Sequence, residues 1–241
     1  MNERPPEGIV AERGAYPGAV PRPPRSSSSA GRTPRTVDKS RTRRALLDGA
    51  LALLEDRSLD NLGIREVTRA AGVAPAAFYR HFASIDDLGL VLVEEAFATL
   101  RGLMRDARDD VNAADDMIKG SVAVLVTHIH DNPGHYRFIA REQYSAVLSV
   151  RLAIRRDLRL FATELATDLA RLPLVNTWPT ADLVMLAELI VGLMVDTSKR
   201  LLDVIEEGPE REPELVADTE RRLRYLTFGA TAWKPRGNRR T

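Results

Sequence analysis

Three groups of side chains in this 241-residue chain could do chemistry. The first is Tyr79-Arg80-His81, set between Phe78 and Phe82, which lie one helical turn apart. With both phenylalanines turned inward, Tyr79 and His81 can donate to phosphate oxygens, and Arg80 is a charge for a phosphate or a base edge. The second group is basic: Lys39, Arg41, Arg43 and Arg44. The third is His128, His130, Asp131 and His135. On a helix His128 and His130 would point about 200° apart, and no Glu-x-x-His pair accompanies them, so neither a metal site nor acid–base catalysis is expected there. Phosphate recognition is the chemistry that remains.

Composition narrows the field further. There is no cysteine, which removes disulfides, thiolate metal sites and cysteine nucleophiles. The sequence has no Walker loop, no G-x-S-x-G and no G-x-G-x-x-G, so an enzyme is not expected. Basic and acidic residues nearly balance at 35 to 34, yet residues 1–44 hold ten basic against four acidic side chains and leave the remainder acidic. Those 44 residues also contain seven of the 14 prolines, four consecutive serines and no Leu or Phe. Residues 1–36 are therefore expected to form a disordered basic arm, which cannot bury enough apolar surface to offset its ordering entropy. The longest apolar stretch, 183–195, is broken by Glu188 and falls short of the roughly 20 residues that a membrane span needs. The start of the chain has no apolar signal core. A cytoplasmic protein with no membrane partner is the expectation.

The elements that must position these groups read as helices throughout. From Arg43 the apolar residues Ala45, Leu46, Ala50, Leu53 and Leu54 recur at three- and four-residue spacing, with Ser40 or Thr42 as N-cap. A second helix over 64–71 ends at Gly72, where a left-handed cap is needed. Pro75 opens a short third helix that buries Phe78 and Phe82. Ser84 and Asp87 have the spacing of a capping box at the head of a long fourth helix. Further helices are expected at 114–130, 134–146, 149–171, 180–207 and 213–233, parted by proline and glycine clusters. The fold class is all-α with about nine helices. It comprises a helix-turn-helix head over 37–83, a larger helical part over 84–233, and a flexible basic tail over 234–241.

Two short helices joined through Ala71-Gly72-Val73-Ala74, behind a basic arm and ahead of a capped long helix, have the shape of a DNA-binding helix-turn-helix. The segment REVTRAAGVAPAAFYRHFASIDDL, residues 65–88, resembles the DNA-binding module of TetR-family bacterial transcriptional regulators. The DNA-contacting residues are expected to be Arg41, Arg43, Arg44, Arg65, Pro75, Ala76, Ala77, Tyr79, Arg80 and His81. Two departures from the family stand out: Ala74 replaces the common Ser or Thr cap, and no Lys stands near Ser84-Ile85 to hold a phosphate. Because Pro75, Ala76 and Ala77 offer bases only apolar contact, direct readout should be modest, with arm and DNA shape supplying the rest.

The APAAFYRHF wording, with His135-Tyr136-Arg137-Phe138 and the later Ile154-Arg155-Arg156, resembles the subgroup that controls fatty-acid synthesis or desaturation in response to acyl-CoA. That resemblance implies a repressor-type regulator that binds a palindromic double-stranded operator as a homodimer through its last two helices. Leu183, Leu186, Ile190, Leu193, Met194, Leu201, Leu202 and Ile205, with Leu215, Leu223, Leu226, Ala230 and Trp233, are the apolar surface expected to serve that dimer. No cofactor is expected; the effector would be a small hydrophobic molecule, a long-chain acyl-CoA. Its cavity is expected to be lined by Leu100, Met104, Leu125, Ile129, Phe138, Tyr144, Phe161, Leu165, Met185 and Leu189. One of Arg141, Arg151, Arg155 and Arg159 would receive a coenzyme A phosphate. Two alternatives stay open: a drug- or small-aromatic-responsive efflux repressor of the same family, and a helical acyl-binding module that does not bind DNA.

Overall fold

The computed structural model describes residues 34–109 and 114–234, and every regular element among them is helical. In chain order these are α1 Pro34–Leu53, α2 Ile64–Ala70, α3 Pro75–Phe78, α4 Ile85–Asp109, α5 Ala114–Asp131, α6 Pro133–Glu142, α7 Leu148–Leu169, α8 Thr180–Glu207 and α9 Glu212–Ala232. Short 3-10 turns at Leu59–Asn61 and Pro209–Arg211 lead into α2 and α9. No described helix is long and apolar enough to cross a membrane.

The helix boundaries follow local chemistry. α2 ends where Gly72 takes φ +67°, and the Val73 N–H returns to the Thr68 carbonyl at 2.9 Å to close the turn. At the head of α4 the Asp87 N–H donates to Ser84 Oγ at 3.1 Å, while the Asp87 carboxylate takes the N–H of Ala83 at 3.0 Å. α6 stops at Glu142, short of the expected 146, because the chain turns at Gln143 and Tyr144 before α7 begins. α1 departs from expectation in the other direction. It begins at Pro34, so residues 34–36 of the expected disordered arm are helical, and Ser40 and Thr42, expected as N-cap, lie within the helix together with Arg41. The apolar period starts only at Arg43, Lys39, Ser40 and Arg41 of the preceding turn being exposed. A proline in the first turn costs such a helix no hydrogen bond. Residues 1–33 of the arm and 235–241 of the tail lie outside the described residues.

One buried cluster runs from the head into the larger half without a break. Leu46, Leu47, Phe78 and Phe82 join through Leu88 and Leu92 of α4 to Ile129, Phe138, Ile154 and Leu201. α1 closes on α2 at Gly49, where an added Cβ would stand 3.1 Å from the Ala71 nitrogen. A second cluster, with Leu165, Leu169, Val175, Leu183 and Leu186, closes the far end of α7 and α8. The space between the two clusters is the cavity described below.

Candidate nucleic-acid interface and ligand cavity

α3 is four residues long, and its position is set by what it buries. Phe78 and Phe82 are almost completely covered, their ring centroids 5.6 Å apart. This leaves Pro75 and Ala76 facing outward, with Ala77 half-buried. Ala74 offers no side-chain cap, and only the Ala77 N–H, bonded to the Ala74 carbonyl at 2.8 Å, ties the first turn. Tyr79 is 64% exposed and stands edge-on to Phe78, so its hydroxyl is free to meet a phosphate. Arg65 and Arg80 are exposed as well.

Positive charge gathers around α3. The imidazolium of His81 is disfavoured first by partial burial and then by the charges of Lys39, Arg43 and Arg80, which hold its pKa below the ordinary histidine value. Those cations come from both ends of the head, α1 and the residues after α3. The basic side chains of α1 divide. Arg41 is exposed, whereas the Arg43 guanidinium lies 5.3 Å from the Phe82 ring centroid and 3.8 Å from Glu95. Arg44 bonds Asp48 at 2.8 Å and Glu95 at 3.0 Å. Arg43 and Arg44 thus also fasten α1 to α4, a role that residue type alone does not disclose.

Between α4, α5, α6, α7, α8 and α9 lies a cavity of about 370 Å³, within the range of small-molecule sites. Leu100, Met104, Leu125, Phe161 and Leu165 line it, as expected from sequence. Five other expected residues do not. Ile129 and Phe138 sit in the solid core between head and cavity. Tyr144 is 74% exposed, and Met185 and Leu189 are 39% and 52% exposed on the outer side of α8. The side of α8 that meets the cavity is instead Leu186, Ile190, Val191, Met194, Val195, Ser198 and Lys199. Tyr136 also reaches the lining. Burial pushes its phenol well above the usual tyrosine range, and it is hydrogen-bonded to His128 Nδ1 at 3.0 Å.

Arg141 does not reach the cavity. Its guanidinium donates to the carbonyls of Leu54, Glu55 and Arg57 at 2.8 to 2.9 Å, closing the C-terminal end of α1. Carbonyls at a helix end lack partners and carry partial negative charge, which suits a guanidinium fork. Arg151 is likewise turned inward, donating to the Ser145 carbonyl at 2.7 Å, while Arg155 and Arg159 are exposed. The expectation that Arg141 or Arg151 receives a phosphate is therefore corrected: both satisfy backbone carbonyls. Next to Arg141, the fully buried Glu142 accepts the Leu59 N–H at 2.9 Å. α6 consequently lines the cavity with Tyr136, Ile139, Ala140 and Gln143, and holds the head with Arg141 and Glu142.

The histidines have local partners. His128 is buried against Tyr136, His130 bonds Glu212 at 2.8 Å, and His135 lies 3.7 Å from Glu95. Among the described residues no group of His, Asp or Glu could hold a metal ion.

On α8 and α9 the assignment of apolar residues also changes. Leu183, Leu186, Leu201, Leu202, Leu215, Leu223 and Ala230, expected to serve a dimer, are buried within this chain. The large apolar side chains left in the open are Met185, Leu189, Tyr225, Phe228 and Trp233. Periodicity marks both sets as apolar but does not say which set the monomer consumes.

Residues 46–90 match the family described as bacterial regulatory proteins, tetR family. The fatty acid degradation regulator FadR from Bacillus halodurans superposes with a TM-score of 0.63 at 15% identity, over 78% of this chain and 95% of that one. FadR from Bacillus subtilis, solved in complex with stearoyl-CoA, gives 0.62 at 16% identity over 77% and 98%. A TetR-family regulator from Streptomyces coelicolor gives 0.60 at 22% identity over 80% and 97%. At these identities the likeness establishes a shared fold, and the matched proteins are transcriptional regulators rather than enzymes.

Proposed function

We propose that this chain, a TetR-type transcriptional regulator by its head and fold, binds a palindromic operator as a homodimer and releases or grips it in response to a long-chain acyl-CoA. The observation that carries the ligand class is the cavity: lined mostly by leucine, isoleucine, valine and methionine, with Phe97, Phe161 and Tyr136 as its aromatic side chains. Flexible aliphatic walls suit an acyl chain better than a planar drug. The stearoyl-CoA complex of the B. subtilis neighbour supports the same reading. Met185, Leu189, Tyr225 and Phe228 offer the outer faces of α8 and α9 to a second copy, which would set two recognition helices on one duplex.

The coupling would run through α6. A ligand that displaces Ile139 or Gln143 moves the same helix whose Arg141 and Glu142 hold the end of α1 and the Leu59 turn. The ligand can alter DNA affinity only by binding one head position better than the other, and a tenfold effect requires about 1.4 kcal/mol of such preference. Native mass spectrometry of the purified protein, followed by calorimetry with long-chain acyl-CoAs and with planar aromatic drugs, tests the reading. Tight binding of the drugs and none of the acyl-CoAs would place the protein with efflux repressors. Failure to shift any promoter DNA would make it an acyl-binding module.

A further inference from the structure

We infer that Lys199 anchors a negatively charged head group, so that the effector is an anionic amphiphile lying along α8 with its polar end toward Tyr144. This rests on the reading of the cavity as the effector site. Among the described residues that line the cavity, Lys199 is the one with a full charge. It is half-buried, and no carboxylate of the described residues pairs with it; its contact is the Tyr144 ring, 5.3 Å from Nζ. A lone ammonium in an otherwise uncharged lining keeps donors to spare after facing an aromatic ring.

Its polar neighbours in the lining are uncharged and already engaged with backbone carbonyls. Ser198 donates its hydroxyl proton to the Val195 carbonyl at 2.8 Å, and Gln143 donates to the Ala140 carbonyl at 3.0 Å. Lys199 is left as the strong donor at this pole, and the exposed ring of Tyr144 marks it as facing solvent. From Lys199 back to Leu186 the α8 wall runs for about 20 Å at helical rise. Between them the lining is Val195, Met194, Val191 and Ile190. A membrane acyl chain spans about 15 Å, half of the hydrocarbon core, and fits this length. Charge at one end and hydrocarbon along the rest is the complement of a fatty carboxylate or of an acyl chain carrying phosphates.

The test is calorimetry on the intact dimer with palmitate, palmitoyl-CoA and 1-hexadecanol, using Lys199→Met, which keeps an apolar stem, and Lys199→Arg, which keeps the charge. Lys199→Met should weaken at least one of the two anions about tenfold while leaving the alcohol within about twofold, and Lys199→Arg should stay within about threefold of the parent throughout. The anion that loses more identifies whether the carboxylate or the coenzyme A phosphates sit at Lys199. Equal losses on all three ligands would mean a structural role and overturn the anchor, as would no loss on either anion. If the parent protein binds hexadecanol but the anchor fails, the cavity reading stands alone; if it binds none of the three, both fall.

Discussion

Glu142 of α6 accepts the backbone N–H of Leu59 at 2.9 Å, joining two residues 83 positions apart in the chain and both shut away from solvent. The bond lies where the helix-turn-helix head meets the cavity-bearing half, beside the three carbonyls that Arg141 closes.

Replacing Glu142 with Leu leaves the Leu59 N–H buried and unpaired, which should cost about 1–3 kcal/mol of stability. Glu142→Gln retains an acceptor and should cost less. Arg141→Met should lower the melting temperature and also shrink the effect of ligand on DNA affinity, since the head is then held less firmly to α6. Thermal melts paired with DNA titrations with and without acyl-CoA check both; an unchanged ligand effect in Arg141→Met would discount α6 as the coupling element.

Tyr79→Phe removes a hydroxyl from an exposed ring without disturbing its contact with Phe78. Affinity should fall by a similar factor, about three- to tenfold, on operator and unrelated DNA, because phosphate contacts position but do not specify. Fluorescence anisotropy on both duplexes measures it. A loss confined to the operator would reassign Tyr79 to base readout.

Leu165→Trp and Met185→Trp should behave oppositely. Leu165 lines the cavity, so the larger ring should abolish acyl-CoA binding while leaving unliganded DNA binding close to the parent's. Met185 faces outward on α8, so its replacement should leave ligand affinity unchanged. Calorimetry on the two variants decides.

Phe228 is 75% exposed on α9 and Leu189 is open on α8. If these faces pair, Phe228→Glu or Leu189→Arg places charge in a dry interface and should yield monomers by sedimentation, with specific DNA affinity lowered by at least about a hundredfold. Dimers that persist in both variants would put the interface elsewhere.

His81 titrates with DNA binding in a fixed sense. In the free protein burial and the neighbouring cations hold its pKa below 6.5. A phosphate beside it would favour the imidazolium and raise the bound-state pKa, so binding takes up a proton and strengthens as pH falls from about 7.5 to 6. His81→Gln should flatten that part of the pH profile, to be read from binding constants at constant ionic strength. An equal slope in the variant would remove His81 from the interface.

The head was legible from sequence because local interactions build it. Gly72 is needed where φ turns positive, Phe78 and Phe82 fall one turn apart, and Ser84 with Asp87 starts a helix, each within a few residues of chain. The all-α class follows from the same short-range periodicity.

What periodicity leaves open is the far side of each contact. It marks a residue as turned away from water without saying whether it meets core, cavity or another chain. Thus Ile129 and Phe138 proved to be core, Met185 and Leu189 proved to face outward, and Ile190, Val191 and Met194 line the cavity in their place. Lys199 carried one signal, a charge in phase with the apolar side of α8 at Val191 and Val195. The task of Arg141 carried none, because its acceptors are backbone carbonyls brought from 84 to 87 residues away. Local stereochemistry determined the helices and the helix-turn-helix head; the relative placement of those helices, a sum of long-range packing, decided which apolar faces enclose the cavity and which basic side chains are spent on backbone carbonyls.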